Sequence, residues 1–347
     1  HHPVLLCGGA TGRIGDPRPT AEREIISEEA VNNNITGIRN QIKRLVPTAE
    51  LVDNYDWWKD RSFLDTLRDI GKYISLNYML DKDIIRRRLE TGITFAEFSY
   101  MLLQGFDFVH LFQDKKCIMQ VAGSDQWGNI TTGVDLIRKM LDGQAYAFTM
   151  PLILDATGKK FGKSEGNALW LEKSKTSPYA IYQYLINTDD NKVLEYLKVF
   201  SFLSKEEIEA VWAQQQAAPE TRIAQKTLAW EVVKDLHGKE EADNAVMVSE
   251  KLFKGDFKGL SVNDIMMGLK GVPNFQFKEE LPLVDVLVNN GMASSKREAR
   301  EFIKNNAISI NGEVVNDESK VITKDMALEG KIIIFRRGKK KYYIGMI

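Results

Sequence analysis

The chain is poor in the side chains that hold metals and form covalent intermediates. It has four histidines, His1, His2, His110 and His237, and two cysteines, Cys7 and Cys117. No histidine has metal-ligand spacing or stands near a nucleophile in sequence, which argues against metal-dependent hydrolysis and against triad chemistry. Two cysteines make neither a disulfide framework nor a zinc site, and this fits a reducing cytoplasm. No apolar run approaches the length of a membrane span, and the start has no signal-peptide pattern. Internal repeats and low-complexity tracts are lacking too. So is an initiating methionine: the chain opens inside the strand-like run Pro3-Val-Leu-Leu-Cys7 and meets glycines at once. Upstream sequence is therefore expected to be absent.

The 347 residues exceed one ordinary core and suggest two or three domains. With 44% hydrophobic and 27% charged residues, the composition is that of a globular protein. The net charge of -1 is unevenly spread. From residue 281 onward, 12 Lys and Arg face 8 Asp and Glu; the remainder carries 35 against 40. A small basic domain on a slightly acidic body suits a protein that touches nucleic acid, and equally a solvated basic surface.

Residues 1–187 read as α/β. Strand-like runs at 116–122 and 148–154 alternate with helical periodicity at 134–141 and 177–186. Residues from 188 to about 270 belong to an α-helical domain, continuous to about 255. Within it Ser204 and Glu207 make a capping box and Gly238 is a helix stop. The stretch 256–280 mixes Gly, Pro, Asn and Lys and reads as a linker. The last domain, 281–347, shows helices at 282–289 and 295–305, then a hairpin in which Asn311-Gly312 separates alternating apolar residues.

Four constellations carry chemistry. Gly8-Gly-Ala-Thr-Gly-Arg-Ile-Gly-Asp-Pro17 follows a strand, and glycines there let the backbone approach a phosphate or ribose; a tight structural turn would use them as well. Its spacing does not match the dinucleotide fingerprint. In Thr94 to Phe108, a capping box (Thr94, Glu97) opens a helix on which Tyr100, Gln104 and Asp107 share one face. Polar groups on an otherwise apolar helix need partners, from a buried structural network or from a ligand. As a ligand pocket, Asp107 accepts from a hydroxyl while Gln104 and Tyr100 bind an ammonium.

Gly123-Ser-Asp-Gln-Trp-Gly-Asn129 lies at the carboxyl end of a strand, where open α/β sheets bind ligands. There Asp125 suits ribose hydroxyls and Gln126 a carboxylate or phosphoryl oxygen; the bland alternative is a helix cap. Lys159-Lys-Phe-Gly-Lys-Ser164 sets lysines around a glycine on a loop. That arrangement suits charge building up on phosphoryl oxygens, or simply a solvated turn. Gly158 to Ser164 also approaches a phosphate-binding P-loop, but it has three residues between its glycines where that motif needs four, so a P-loop nucleotidase is the weaker reading.

In this order and spacing, GGATGRIGDP, EFSYMLLQGFDF, VAGSDQWGNITTG and KFGKSEGNALWL resemble the bacterial tyrosyl-tRNA synthetases, a class I family, over nearly the whole chain. Trp57 in Asn54-Tyr-Asp-Trp57 and Thr176-Ser-Pro-Tyr179 add to the resemblance. It implies a Rossmann-like nucleotide-binding domain over 1–187 with a dimer-forming insertion, an α-helical domain over 188–270 facing the anticodon arm, and a small α+β RNA-binding domain of ribosomal-protein type over 281–347. It implies activation of L-tyrosine by ATP, with Mg2+ accompanying the nucleotide, and transfer to tRNA(Tyr). Tyr100, Gln104 and Asp16 would bind the ammonium and Asp107 the phenol. Gly123 and Asp125 would hold the ATP ribose, Gln126 the reacting carboxylate, and Lys160 and Lys163 the departing pyrophosphate.

No metal site of the protein's own and no membrane partner is implied. Lys296, Arg297, Arg300 and Lys304, with the basic run 336–341, would meet RNA phosphates. A homodimer is implied, and residues 68–80, presenting Ile70, Tyr73, Ile74, Tyr78 and Met79, are the expected interface. The stripe of Tyr100, Gln104 and Asp107 favours tyrosine over the tryptophanyl relatives. The family's other signature, ending Gly-His, and a second tyrosine at the phenol lie upstream of this sequence, so the chain as written is expected to activate tyrosine poorly. Residues 17–23 depart from the family's usual loop. A catalytically silent RNA-binding protein is the alternative of a different class.

Overall fold

The computed structural model describes residues 1–16, 26–159, 161–164, 167–269, 271–338 and 341–347. The chain divides into two compact units, 1–163 and 164–347.

In the first unit, β1 (Val4–Cys7) pairs in parallel with β2 (Glu50–Asp53), Val4 opposite Glu50. Parallel neighbours need a long crossover, and the amphipathic α1 (Glu28–Leu45), capped by Ser27, lies in it. After β2 come α2 (Tyr55–Trp58), α3 (Phe63–Asp69), α4 (Leu76–Leu80) and α5 (Asp83–Thr91). Next is α6 (Phe95–Lys115), whose capping box is formed as the sequence indicates. β3 (Met119–Gly123), α7 (Trp127–Leu141) and β4 (Tyr146–Met150) make a second parallel unit, Met119 opposite Tyr146. The short strand β5 (Lys163–Ser164) follows.

The core of this unit is the contact between α6 and α7, where Phe106, Phe108 and Val109 meet Leu136 and Ile137. Because α6 is apolar nearly all round, it lies buried, and the few polar side chains on it must find partners inside. The outer face of the β3–β4 pair (Met119, Val121, Tyr146, Phe148, Met150) is half exposed.

The second unit opens with β6 (Asn167–Ala168) and a helical layer. Its members are α8 (Pro178–Ile186), α9 (Asp190–Phe200), α10 (Lys205–Ala217), α11 (Ile223–His237) and α12 (Lys239–Lys254). The Ser204–Glu207 capping box is formed, and α11 ends at Gly238 with φ 95°. Because α8 packs on α11 and α12, the helical layer takes in residues ahead of the 187/188 boundary read from sequence.

The linker expected over 256–280 is a correction: it contains α13 (Val262–Gly268) and β7 (Asn274–Gln276). β7 pairs in parallel with the last strand, and Phe257 is buried against Tyr342. Polar composition concealed these contacts, which join residues about 70 positions apart in chain order.

The carboxyl-terminal part has β8 (Leu281–Pro282), α14 (Leu283–Asn289), α15 (Lys296–Lys304), β9 (Ile308–Ile310), β10 (Glu313–Val314), β11 (Val321–Ile322), β12 (Ile332–Arg337) and β13 (Lys341–Met346). Its sheet runs β10-β9-β12-β13-β7. Asn311 (φ 48°) and Gly312 (φ 91°) make the two-residue turn between β9 and β10, as their sequence demands.

Candidate active site

The glycine turn after β1 is held from the end of β2. Asp53 Oδ1 accepts from the backbone N–H of Gly9 at 3.0 Å, and Asn54 Oδ1 accepts from Ala10 at 2.7 Å. A Cβ on residue 9 would stand 2.2 Å from Asp53 Oδ1, so glycine is required there by close approach. Asn54 is fully buried and spends its amide nitrogen twice, on Thr11 Oγ1 and on Asp107 Oδ2, each at 2.9 Å. This one side chain ties the glycine turn to α6.

Asp107 is 1% exposed. Besides Asn54 it accepts from Trp57 Nε1 at 2.8 Å and Trp58 Nε1 at 2.7 Å, both on Oδ1. Burial pushes its carboxyl up to about 6, against the opposing pull of the donors Asn54, Trp58 and Trp57. Trp57 in turn stacks on His110 at 4.3 Å, one turn further along α6. Burial holds the His110 imidazole below its usual value.

One turn before Asp107, Gln104 enters a second cluster. Its Nε2 donates to Gln126 Oε1 at 3.0 Å, and Gln126 Nε2 donates to Asp16 Oδ2 at 3.0 Å. Asn129 Nδ2 reaches Gln104 Oε1 at 2.9 Å, Gln126 Oε1 at 3.1 Å and Asp16 Oδ1 at 3.3 Å. Three segments far apart in sequence thus converge: the glycine turn, α6 and the start of α7. Beside them a cavity of about 380 Å³ is lined by Asp16, Asp125, Trp127, Asn129 and Lys82 among others. Gly123 ends β3, and Asp125 is exposed in the single 3-10 turn that joins β3 to α7. Tyr100 lies half-buried on α6, one turn ahead of Gln104.

The lysine loop begins in a tight turn in which Asp155 Oδ1 accepts from Thr157 Oγ1 at 2.7 Å and from the amides of Thr157 and Lys159, each at 2.9 Å. The Thr157 hydroxyl and these amides hold the Asp155 carboxyl below its ordinary value. Lys160 lies outside the described residues, as do 17–25; Lys163 is described as backbone in β5 and its side chain is not. In the carboxyl-terminal part, Arg297 and Lys304 are exposed, Lys296 pairs with Asp285 at 2.6 Å and Arg300 with Glu318 at 3.8 Å. In the basic run Arg336 donates to Ser309 at 3.2 Å, and Arg337 donates to the Met292 carbonyl; residues 339 and 340 lie outside the described residues. Among the described residues, no group of three or more His, Cys, Asp or Glu is arranged to hold a metal ion, and no helix is long and apolar enough to cross a membrane.

The expected interface over 68–80 needs correction. Ile70 is fully buried and Met79 nearly so, because both pack into the cores around α6. The apolar groups that reach the surface nearby are Phe63, Leu64, Leu67, Leu76 and Phe95. Sequence reading also missed Asn54, Asn129 and Trp58 as site residues. Asn129 stands one helical turn after Gln126, a spacing that offered a signal; the roles of Asn54 and Trp58 exist only through contacts across about 50 residues.

The family described as tRNA synthetases class I (W and Y) matches residues 1–254, and the chain belongs to it. The domain described as tyrosine–tRNA ligase SYY-like C-terminal matches residues 264–345. Tyrosine–tRNA ligases of Bacillus velezensis and Streptococcus agalactiae are 49% and 47% identical to the chain, across 99% of it and 84% of each relative. A C-terminally truncated mitochondrial tyrosyl-tRNA synthetase of Aspergillus nidulans superposes with a TM-score of 0.65 at 34% identity, covering 72% of this chain and 76% of that one. Within the class, the activity is that of a tyrosine–tRNA ligase.

Proposed function

We propose that the Asp16, Gln104, Gln126 and Asn129 cluster receives the amino-acid end of tyrosine, and that Asp107 receives its phenol. The carrying observation is that Gln104 and Asp107 leave the same helix toward two different polar environments. Three residues of helix rise about 4.5 Å, and seven, from Tyr100 to Asp107, about 10.5 Å; the distance from ammonium to hydroxyl in tyrosine falls within that span. Asp16, Gln104 and Tyr100 bind the ammonium. Gln126 turns its amide to the carboxylate, and Gly123 with Asp125 takes the ribose of ATP at the carboxyl end of β3.

The tyrosine carboxylate attacks the α-phosphorus of ATP. A P–O bond forms, the bond to pyrophosphate breaks, and Lys160 and Lys163 neutralise the charge that leaves. The terminal ribose hydroxyl of tRNA then attacks the activated carbonyl and AMP departs. No protein nucleophile enters either step, so catalysis is positioning and charge stabilisation. Mg2+ travels with the triphosphate, which suits an ion that keeps water and phosphate oxygens in its shell.

In this reading the first unit is catalytic, the helical layer of the second unit faces the anticodon arm, and the carboxyl-terminal part binds RNA through Arg297, Lys304, Lys296 and Arg300. The protein works in the cytoplasm as a homodimer, and the exposed Phe63, Leu64, Leu67, Leu76 and Phe95 supply the apolar surface for that contact.

The test is amino-acid-dependent ATP–pyrophosphate exchange with tyrosine, phenylalanine and tryptophan, on the natural full-length protein and on its Gln126→Ala and Asp107→Asn variants. Tyrosine-only exchange in the wild type is expected. Gln126→Ala should lower kcat by roughly a hundred- to a thousandfold, the range for a donor aimed at developing charge. Asp107→Asn should erode the preference for tyrosine over phenylalanine. Unchanged rates and preference in both variants would sink the assignment.

A further inference from the structure

Among the described residues, the three hydrogen bonds to Asp107 come from one short stretch, Asn54 to Trp58. A carboxylate oxygen accepts about two hydrogen bonds, and an indole N–H can only donate. Trp57 and Trp58 together fill Oδ1, while among the described residues Oδ2 takes Asn54 alone, so a further donor is directed to Oδ2. The two tryptophans are neighbours on a single helical turn, where successive side chains diverge by about 100°. Their convergence on one oxygen therefore needs each ring held separately.

Trp57 is held by its stack on His110. Trp58 is held by the edge of Phe106, 5.3 Å between ring centres, and Arg61 covers the Phe106 ring at 4.8 Å. The other side of Trp58 lines an apolar groove of about 500 Å³ with Phe63, Leu67, Phe95 and Phe98.

We propose that Trp58 is a positioning residue for amino-acid selection: its indole N–H, 2.7 Å from Asp107 Oδ1, fixes the carboxylate so that Oδ2 meets the substrate hydroxyl. This rests on the reading of Asp107 as the phenol acceptor. A side chain locked by packing can orient a binding group to within a fraction of an ångström, which a mobile donor cannot. The indole also favours the ionised acid, the form that accepts. Titratable and charged groups on the surrounding elements are His110 on α6, Arg61 beyond α2, Asp53 with Arg39 at β2, and Arg13 and Asp16 on the glycine turn. From α7, the uncharged Thr132, Gly133 and Leu136 face α6.

Trp58→Phe keeps an aromatic ring and removes the N–H. Tyrosine binding by equilibrium dialysis and pyrophosphate exchange are measured from pH 5.5 to 8.5, with Asp107→Asn in parallel. The variant should raise KM for tyrosine roughly tenfold, the cost of a lost bond to a charged group, and leave kcat within about a factor of two. The acid limb of kcat/KM should move to higher pH, because an acid with one donor fewer holds its proton longer. A KM and an acid limb that coincide with those of the wild type overturn the proposal. A purely structural loss would lower the folded fraction and leave the limb in place, which overturns it as well. If Asp107→Asn retains full preference for tyrosine over phenylalanine, the reading of Asp107 itself fails.

Should Trp58→Phe not fold, the wild-type Trp58 indole resonance decides. A proton signal that titrates with an acid and disappears from its shifted position in Asp107→Asn supports the proposal; a pH-independent signal overturns it.

Discussion

Asp107 combines an unfavourable location with three donors, Asn54, Trp57 and Trp58. Its carboxyl sits at about 6 in the folded chain against an ordinary 3.8. Because the folded form binds the proton more tightly than the unfolded form, the group's contribution to stability is full below about pH 3.8 and is lost as pH rises through 6. The difference corresponds to about 3 kcal/mol. Urea unfolding of the wild type and Asp107→Asn at pH 4 and pH 7 should therefore show the variant gaining on the wild type by about that amount, whatever its absolute stability. A constant gap across this range would contradict the burial argument. The shared face of Tyr100, Gln104 and Asp107 was legible from their spacing alone. That Gln104 joins Asp16 while Asp107 joins two indoles was not, since both sets of partners come from distant segments.

At the scale of elements, the start of α6 is fixed twice. Glu97 closes the capping box with Thr94 and also takes a two-pronged ion pair from Arg88, at 2.7 and 2.8 Å. Both side chains of the pair are at most 5% exposed. A second anchor on Arg88 is the Gly92 carbonyl, where the chain turns between α5 and α6 at φ 97°. Removing one partner leaves a buried charge, so Glu97→Ala should lose about 3–5 kcal/mol in chemical denaturation. A loss under about 1 kcal/mol, the value of the cap alone, would show that Arg88 finds water instead. The capping box was readable because its residues are three apart. The ion pair was not, because nothing in the polar run 83–92 marks which arginine turns inward.

At the scale of the molecule, the large apolar side chains Phe63, Leu67 and Phe95 line one groove of the first unit, with Phe95 67% exposed. Phe95→Asp should leave the monomer's stability nearly unchanged, because the ring contributes little to the core, and should shift sedimentation from dimer toward monomer at micromolar concentration. A monomeric wild type, or a variant that stays dimeric, would refute this surface as the interface. The basic carboxyl-terminal part makes a separate prediction. If Arg297 and Lys304 each neutralise a tRNA phosphate, Arg297→Ala and Lys304→Ala should each lower the slope of log affinity against log salt by about one. Slopes equal to the wild type's would place the RNA elsewhere.

Element types were legible in the amino-acid order wherever the signal was local: the capping boxes at Thr94 and Ser204, the Asn311-Gly312 hairpin, and the stop at Gly238. With four motifs in order it also determined the class of chemistry. Tertiary structure alone decided that Asn54 links the glycine turn to α6, that Trp58 reaches Asp107, that Ile70 is core rather than interface, and that residues 274–276 are a strand. The reason is range. A cap or a turn is satisfied within four residues, whereas a buried donor's partner or an edge strand's neighbour is set by which distant surfaces meet once the core has closed.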